Sequence, residues 1–564
     1  MRRPRITRRR IVLASAVATL ESRAQNELAR TVEEADKIGR RAVLDQAGDE
    51  DAESLDVARC ARARCQAVSS VCHVSRTWRS SAGSGRFDLV VVGGGTGGLV
   101  SALVAAGVGA RVALVEGERL GGDCLWTGCV PSKSLLAAAD LAHRMRHADD
   151  VGLTPSEPPI DFTRVMDHVR RAQHAIEPHD SAARLERDGV TVVAGHGRFS
   201  EPGVIDVGDL RLRYRKAIVA TGSRPLLPHV PGLEDVSPLT SDSVWQLSSL
   251  PRSLAILGGG PVGCELALAF SRLGSDISLI EAGGRLLPRE EPRASRLVAD
   301  RLTAEGVAVR CGTSVGSVAG GESGGTLEVQ PRGAAPVIAF DRLLVAAGRS
   351  PRTEDLGLEQ IGARTDPRGF MLVDEHLRTT AAHVYAVGDA TGAMAFTHVA
   401  AYQARVATVN ALFAARRKVD YTTVPRITFT DPEVAAVGLT EAEAAGRWQH
   451  PKVVSFEYSE LDRAIVDGRP YGFVTLVGDR KGRLVGATIA APGASESVAE
   501  LAAWIAVGAK IDRVSQSVHA YPTLSEGPSR AANAYVRARY ARPGSRMATR
   551  AALRILDRVD RAGR

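Results

Sequence analysis

From Phe87 onward, short β-branched runs alternate with Ala-rich stretches, and that alternation sets the predicted elements. Leu89-Val90-Val91-Val92 is apolar without a break, as expected of a strand buried on both faces. Gly93-Gly94-Gly95-Thr96-Gly97-Gly98 interrupts it, an Ala-rich helical stretch follows, and a second strand over residues 112–115 closes on Glu116. The order then recurs. Residues 254–257 read as a strand, 258–263 as a glycine turn, 264–273 as a helix and 277–280 as a second strand closed by Glu281. Between and after these units come shorter strands, such as Ala217-Ile218-Val219-Ala220 before Thr221-Gly222, and a hairpin turn over residues 320–325. Beyond about residue 421 the texture changes to alternating strands (473–477 and 484–490) and a helix over 495–507, an α+β pattern. The predicted fold class is therefore α/β, with two Rossmann-like dinucleotide-binding domains and a C-terminal α+β domain.

Domain limits follow from the same pattern. Residues 1–85 form an extension, expected to be disordered, that ends in a Ser/Gly linker. Residues 86–250 and 351–420 make the two parts of the first nucleotide domain, with the second nucleotide domain, 251–350, inserted between them. Residues 421–545 make the α+β domain and 546–564 a basic tail.

Charge changes the picture little. The chain has 564 residues and a formal net charge of +8, but its ends carry the excess. Residues 1–85 hold 16 Lys and Arg against 11 Asp and Glu, and residues 537–564 hold nine Arg against two Asp. The body is slightly acidic, which argues against a nucleic-acid partner. No apolar run reaches the roughly 20 residues that span a bilayer. Arg8-Arg9-Arg10, followed by an apolar stretch over 11–20, superficially resembles a twin-arginine export signal; a loosely helical extension is the simpler reading. In the tail, arginines recur about every four residues around Leu553, Leu556 and Val559. That spacing suits a basic helix touching anionic lipid, or a solvated terminal helix.

Seven cysteines (Cys60, Cys65, Cys72, Cys124, Cys129, Cys264 and Cys311) are an odd set without metal-type spacing, so no metal site is expected. They point to a reducing, cytoplasmic compartment, where a lone disulfide is catalytic rather than structural.

The chemistry begins with the glycines. Gly93, Gly95 and Gly98 lie between strand and helix, with Glu116 following Gly98 by 18 residues; Gly258, Gly260, Gly263 and Glu281 repeat that spacing. Such a turn lets the backbone approach a pyrophosphate at a helix N-terminus, and the acidic residue accepts from a ribose. A carboxylate at Glu281 repels a 2′-phosphate and favours NADH, although Arg285 nearby keeps NADPH open.

Cys124 and Cys129 stand in Gly121-Gly122-Asp123-Cys124-Leu125-Trp126-Thr127-Gly128-Cys129-Val130-Pro131-Ser132-Lys133. In a regular helix their Cα atoms would be roughly 8–9 Å apart, beyond disulfide reach. A bridge therefore requires an irregular turn at a helix start, with Gly128 and Pro131 as breakers. A helix N-terminus would also lower a thiol pKa. The spacing alone leaves two buried structural cysteines as an equal reading.

The wider segment resembles the redox-disulfide signature of the class I pyridine nucleotide–disulfide oxidoreductases, which include dihydrolipoamide dehydrogenase, glutathione reductase and mercuric reductase. Thr221-Gly222-Ser223-Arg224-Pro225, Val387-Gly388-Asp389-Ala390 and Phe429-Thr430-Asp431-Pro432-Glu433-Val434-Ala435 are similar to further family motifs, and the likeness spans about residues 86–545. It implies a homodimeric FAD enzyme in which reducing equivalents from NADH, or NADPH, reach a Cys124–Cys129 disulfide. Cys124 would face substrate and Cys129 the flavin, with Lys133 and Glu265 as an ion pair beside the flavin. The resemblance also implies FAD contacts at Gly93, Gly95, Gly98, Glu116, Gly122, Lys133, Gly197, Thr221, Gly222, Ser223, Asp389 and His398. Gly258, Gly260, Gly263, Glu281 and Gly348 would hold NAD. Residues 421–545 would be the dimerisation domain.

One departure matters. Where dihydrolipoamide dehydrogenase and glutathione reductase place a histidine five residues before a glutamate, supplied by the partner subunit, this chain has Tyr521 before Glu526. Tyrosine, with an ordinary pKa near 10, is a poor base at neutral pH. His519 would point to the other side and is read as structural. The tyrosine is similar to that of mercuric reductase and the soluble transhydrogenase. No cysteine follows Cys311, however, so the C-terminal metal-receiving pair of mercuric reductase is absent. The expected acceptor is a disulfide, a thiol-bound metal or a similar small molecule. Alternatives are a diaphorase or quinone reductase using flavin directly, and a non-catalytic redox-sensing or scaffold subunit.

Overall fold

The computed structural model describes residues 86–331 and 337–562. The extension over 1–85, with Arg8-Arg9-Arg10, Cys60, Cys65 and Cys72, lies outside the described residues. The first β-branched run forms the strand Phe87–Val92, buried along nearly its whole length. It pairs in parallel with Val112–Glu116 on one side and Leu210–Val219 on the other. Val190–Ala194 extends the sheet beyond the first neighbour, and Val384–Ala386 joins beside Leu210–Val219, also in parallel. A strand arriving from residue 384 explains why this domain is written in two pieces of sequence. The helix Thr96–Gly107 returns over the sheet, its buried Gly97, Gly98, Ala102 and Ala105 allowing close packing.

The second unit repeats the plan. Ser253–Leu257 pairs in parallel with Asp276–Glu281 and with Arg342–Val345. The helix Pro261–Leu273 starts with proline in its first turn, where a missing N–H costs nothing. Leu239–Thr240 already belongs to this sheet, pairing with Leu344 and Val345. The crossover into the second unit therefore falls ahead of residue 251, the limit expected from the sequence. The strands Thr313–Gly321 and Gly324–Pro331 meet at Gly321 opposite Gly324, the hairpin expected at 320–325.

The C-terminal sheet is antiparallel, in the order Pro425–Thr428, Val434–Gly438, Leu484–Ala490, Phe473–Gly478, Lys452–Glu457. The helices Ala494–Ala506, Ile511–Gln516 and Glu526–Tyr540 contribute Val498, Leu501, Ile511, Val514, Ala531 and Ala532 to the same core. A last helix, Pro543–Ala562, begins three residues before the expected tail, because Pro543 initiates it. Among the described residues, no helix is long and apolar enough to cross a membrane.

Candidate redox and dinucleotide site

The cysteine segment breaks where its spacing requires. A short helix, Gly122–Trp126, ends at Thr127, and a longer one starts at Cys129 and runs to Arg146. Gly128 sits in the break, where a Cβ would come within 2.9 Å of the Asp123 carbonyl oxygen. Pro131 is not a breaker. It lies in the first turn of the long helix, where no N–H is needed. Distant side chains hold the break open. The Gln173 amide donates to the carbonyls of Leu125 (3.1 Å) and Trp126 (2.9 Å). The Trp245 indole donates to that of Thr127 (2.9 Å).

The two cysteines are unbridged, with Cys129 exposed and Cys124 partly buried. Their protons are unequally held. The Cys124 thiol donates to the Cys129 sulfur, and this, with the Thr397 hydroxyl and the Lys133 charge, outweighs burial and lowers Cys129 to about 6. Cys124 is pushed well above the ordinary thiol range by the same hydrogen bond, by burial and by the neighbouring sulfur's charge. The Thr397 hydroxyl lies 3.3 Å from the Cys129 sulfur and opens the 17-residue helix Thr397–Phe413. The positive end of that helix thus faces the thiolate. The surroundings therefore favour the thiolate at Cys129 and the thiol at Cys124.

Lys133, one turn into the redox helix, bonds Glu265 at 2.8 Å, and Glu265 accepts from the Phe429 N–H at 2.9 Å. The expected ion pair is therefore formed, with Lys133 also over the Phe429 ring, 4.3 Å from its centroid. A second rung lies seven residues on in both helices. Arg272 approaches Asp140 at 3.4 Å, grips Glu305 through two nitrogens (2.6 and 2.7 Å) and reaches Asp431 at 2.8 Å. Equal offsets mean that the redox helix and the nucleotide helix run in the same direction, pinned at two levels. His143, Glu305 and Asp431 converge there closely enough to hold a cation. The Arg272 guanidinium already serves as that cation.

The first nucleotide loop packs this closely on its own backbone only because it lacks side chains. A Cβ on Gly98 would fall 1.7 Å from the Gly93 carbonyl oxygen, and Gly263 repeats the clash with Gly258 at 1.9 Å. Gly122, at φ +57°, would bring a Cβ within 2.6 Å of the Gly95 Cα. Glu116 accepts from the backbone N–H groups of Glu118 (2.6 Å) and Gly94 (2.5 Å), so it also braces the loop. Gly197 packs among Val92, Val115 and Ile205. Thr221 has a buried hydroxyl without a partner, as has Thr127. Buried polar atoms of this kind need a partner, which a bound group or a water can supply. Ser223 donates to Asp389 at 2.6 Å, Gly222 adopts φ +72°, and Arg349 bonds Ser223 at 2.6 Å while pairing with Asp123. His398 stacks on Phe396 and meets the Pro425 carbonyl at 2.9 Å, and burial holds its pKa low. The cradle, the orphan hydroxyls and the neighbouring Asp389 fit a flavin dinucleotide.

At the second loop, Gly260 caps the helix Pro261–Leu273 and faces open space, leaving its amide end free for a pyrophosphate. Glu281 accepts from Gly259 (2.6 Å) and Gly283 (2.5 Å). Arg285 donates to the carbonyls of Glu290 and Pro288, both at 2.7 Å, and is thereby tied to its own loop. Gly348, at φ +142°, packs against Leu226.

Tyr521 and Glu526 are not joined to the cysteines by any contact within the chain, among the described residues. Glu526 is taken up by Thr523 N–H and Arg530, both at 3.3 Å. Tyr521 is exposed, and a hydrogen bond to Asp462 raises its phenol further from a useful base. His519 pairs with Glu500 at 2.9 Å. Thr397, Gln173, Trp245 and Arg349 were not picked out from the sequence. Each acts from more than 45 residues away, and none sits in a glycine or cysteine pattern.

Two dinucleotide cradles linked through a thiol–thiolate pair define a nicotinamide-dependent flavoprotein disulfide oxidoreductase. The chain belongs to the pyridine nucleotide-disulphide oxidoreductase family, which matches residues 87–404, and carries the family's dimerisation domain over 424–532. It is 34% identical to dihydrolipoyl dehydrogenase 3 of Haloarcula marismortui over 79% of this chain and 95% of that protein. It is 36% identical to mercuric reductase of Streptomyces lividans over 80% and 96%. Among solved structures, LpdA of Mycobacterium tuberculosis is similar with a TM-score of 0.73 at 27% identity, covering 79% of this chain and 99% of that one. The Cu(II) complex of the HOCl-induced flavoprotein disulfide reductase RclA of Escherichia coli gives 0.71 at 26% identity, covering 80% and 99%. The family depends on FAD and NAD(P)H.

Proposed function

We propose that this enzyme oxidises NADH and reduces a disulfide, a thiol-bound metal or a comparable soft electrophile at Cys124. The observation that carries this reading is the broken helix that sets Cys129 at a helix start with the Thr397 hydroxyl 3.3 Å from its sulfur. These surroundings lower its thiol while raising that of Cys124. Bound FAD would supply the two-electron relay between the nicotinamide and the dithiol. Gly93, Gly95, Gly98, Glu116, Gly122 and Gly197 would hold its nucleotide half, and Thr221, Gly222, Ser223, Asp389, Lys133 and His398 its flavin half. Gly258, Gly260, Gly263, Glu281 and Gly348 would hold NADH. Glu281 repels a 2′-phosphate, and Arg285 is engaged elsewhere. Lys133 holds positive charge next to the cysteines, and Glu265 fixes it there. Tyr521 and Glu526, reaching the site from the partner subunit, would orient the acceptor rather than take its proton. The catalytic set is thus Cys124, Cys129 and Lys133, supported by Glu265, Tyr521 and Glu526, in a reducing, cytoplasmic setting. The domain limits we favour are 86–238 with 351–420, 239–350, and 421–542.

The test is anaerobic titration with NADH, followed by turnover with lipoamide, glutathione disulfide, Hg(II), Cu(II) and a quinone. Turnover with one of the first four, abolished by Cys124→Ser, supports the reading. A specific feature favours a second reading, direct flavin reduction of quinones: Tyr521 replaces a base and its phenol is shifted upward. Quinone turnover unchanged in Cys124→Ser, with no activity toward the others, would select it.

A further inference from the structure

The last helix, Pro543–Ala562, has two unlike faces. Ala548, Ala551, Ala552, Ile555, Leu556 and Val559 recur at three- and four-residue intervals and so share one side. Arg546, Arg550, Arg554 and Arg558 recur every four residues on the other, with Arg561 one turn on. Ile555 is 62% exposed, Leu556 58% and Val559 61%, so the apolar side is uncovered. Arg561 pairs with Asp557 inside the helix. Arg546, Arg550, Arg554 and Arg558 have no ion pair among the described residues. A helix built to pack on its own domain would bury the apolar side and pair its charges. This one leaves its apolar side open and, among the described residues, four of its five arginines without an ion pair.

We infer that this helix docks the enzyme on an anionic lipid surface, lying in the plane of the headgroups with its apolar side down. The charge pattern selects this occupant. Five arginines against two aspartates give the helix a net positive row, which anionic headgroups neutralise. A second copy of the same helix, pairing through its apolar side, would leave both arginine rows facing outward with only Asp557 and Asp560 of each to offset them. At about 1.5 Å per residue the helix is about 30 Å long. Charges spaced along its whole length keep it on the surface rather than across it. The helix follows the dimerisation domain, so a dimer would present two of them, and binding by one would favour binding by the other.

The experiment is flotation of the FAD-loaded full-length enzyme with vesicles of phosphatidylcholine alone or mixed with phosphatidylglycerol, at low and at high salt. The expected result is capture by the phosphatidylglycerol vesicles only, reversed by salt. Each Arg554→Gln or Arg558→Gln change should lower partitioning about five-fold. Leu556→Asp with Val559→Asp should abolish capture while leaving NADH oxidation unchanged. Equal capture by both lipids, capture indifferent to Arg554→Gln and Arg558→Gln, or no capture at all would overturn the inference. So would a change of oligomeric state in Leu556→Asp/Val559→Asp without vesicle binding, which would identify a second copy as the occupant.

Discussion

Arg272 offers the sharpest quantitative test of how the nucleotide and redox helices are held in register. Its side chain is 3% exposed and its guanidinium meets three carboxylates from three segments: Asp140, Glu305 and Asp431. Burial would raise the Asp431 carboxyl, yet Arg469 and Arg272 together hold it well below the usual carboxylate range. Replacing Arg272 with Met leaves Asp431 with Arg469 and Tyr471, but leaves Glu305 with only His143 at 3.6 Å. Burial also keeps that histidine's pKa low, so it is a weak substitute cation. Removing one partner of a buried pair costs about 3–5 kcal/mol. Because Asp431 stays paired, the lower end applies, about 3 kcal/mol. That corresponds to a fall in melting temperature of several degrees. Arg272→Met/Glu305→Leu should recover part of the loss, since an apolar pair of similar volume needs no compensating charge. The assay is thermal unfolding of the flavin-loaded enzyme followed by tryptophan fluorescence, with the rate of flavin bleaching by NADH measured on the same samples. Bleaching should slow as well, because the Lys133–Glu265 rung depends on the same alignment. A loss below about 1 kcal/mol, or a double variant as unstable as the sum of the singles, would refute the reasoning.

Three further outcomes follow from the site. Two-electron reduction should produce a long-wavelength thiolate-to-flavin band that fades as pH falls through about 6, because the band needs Cys129 deprotonated. Lys133→Met or Thr397→Val should move that midpoint upward, and survival of the band in Cys129→Ser would remove Cys129 from its role. Gly122→Ala should yield protein with little bound FAD, because its Cβ would fall 2.6 Å from the Gly95 Cα at φ +57°; flavin content per chain measures it. NADPH should serve at least about ten-fold less well than NADH in kcat/KM, and Glu281→Gln should narrow that gap; equal use of both nucleotides would show that Glu281 does not discriminate.

What could be read from the sequence was what repeats or departs locally from ordinary chemistry. The uninterrupted run at Leu89 to Val92, the spacing from Gly98 to Glu116 and its copy from Gly263 to Glu281 each carry their own geometric reason, and the strands and helices formed where those reasons placed them. The break between Cys124 and Cys129 was legible because a regular helix could not bring the two together. Pro131 reads as a second breaker but lies in the first helical turn, where proline is equally at home, and local pattern cannot tell the two apart. The short strand at the edge of the second nucleotide sheet escapes the sequence pattern for a different reason. Leu239–Thr240 is two residues long and gains its strand character only from Leu344 and Val345, more than 100 positions away.

The same distinction separates the reactive atoms from what tunes them. Cys124, Cys129 and Lys133 occupy ten residues of chain, and Cys124 and Lys133 lower the Cys129 thiol from within that segment. Thr397, which lowers it further, and Gln173 and Trp245, which keep the turn open, come from far along the chain. Glu265 and Arg272 behave as one device only once two helices lie side by side, although their shared seven-residue offset with Lys133 and Asp140 is written in the sequence. An offset repeated on two helices is a register signal in the way that a glycine spacing is a turn signal. It becomes legible only when a resemblance or a structure says that the helices are neighbours. The departure at Tyr521 therefore bears on which acceptor is reduced, whereas the thiolate, the nucleotide cradles and the two-rung register do not depend on that residue.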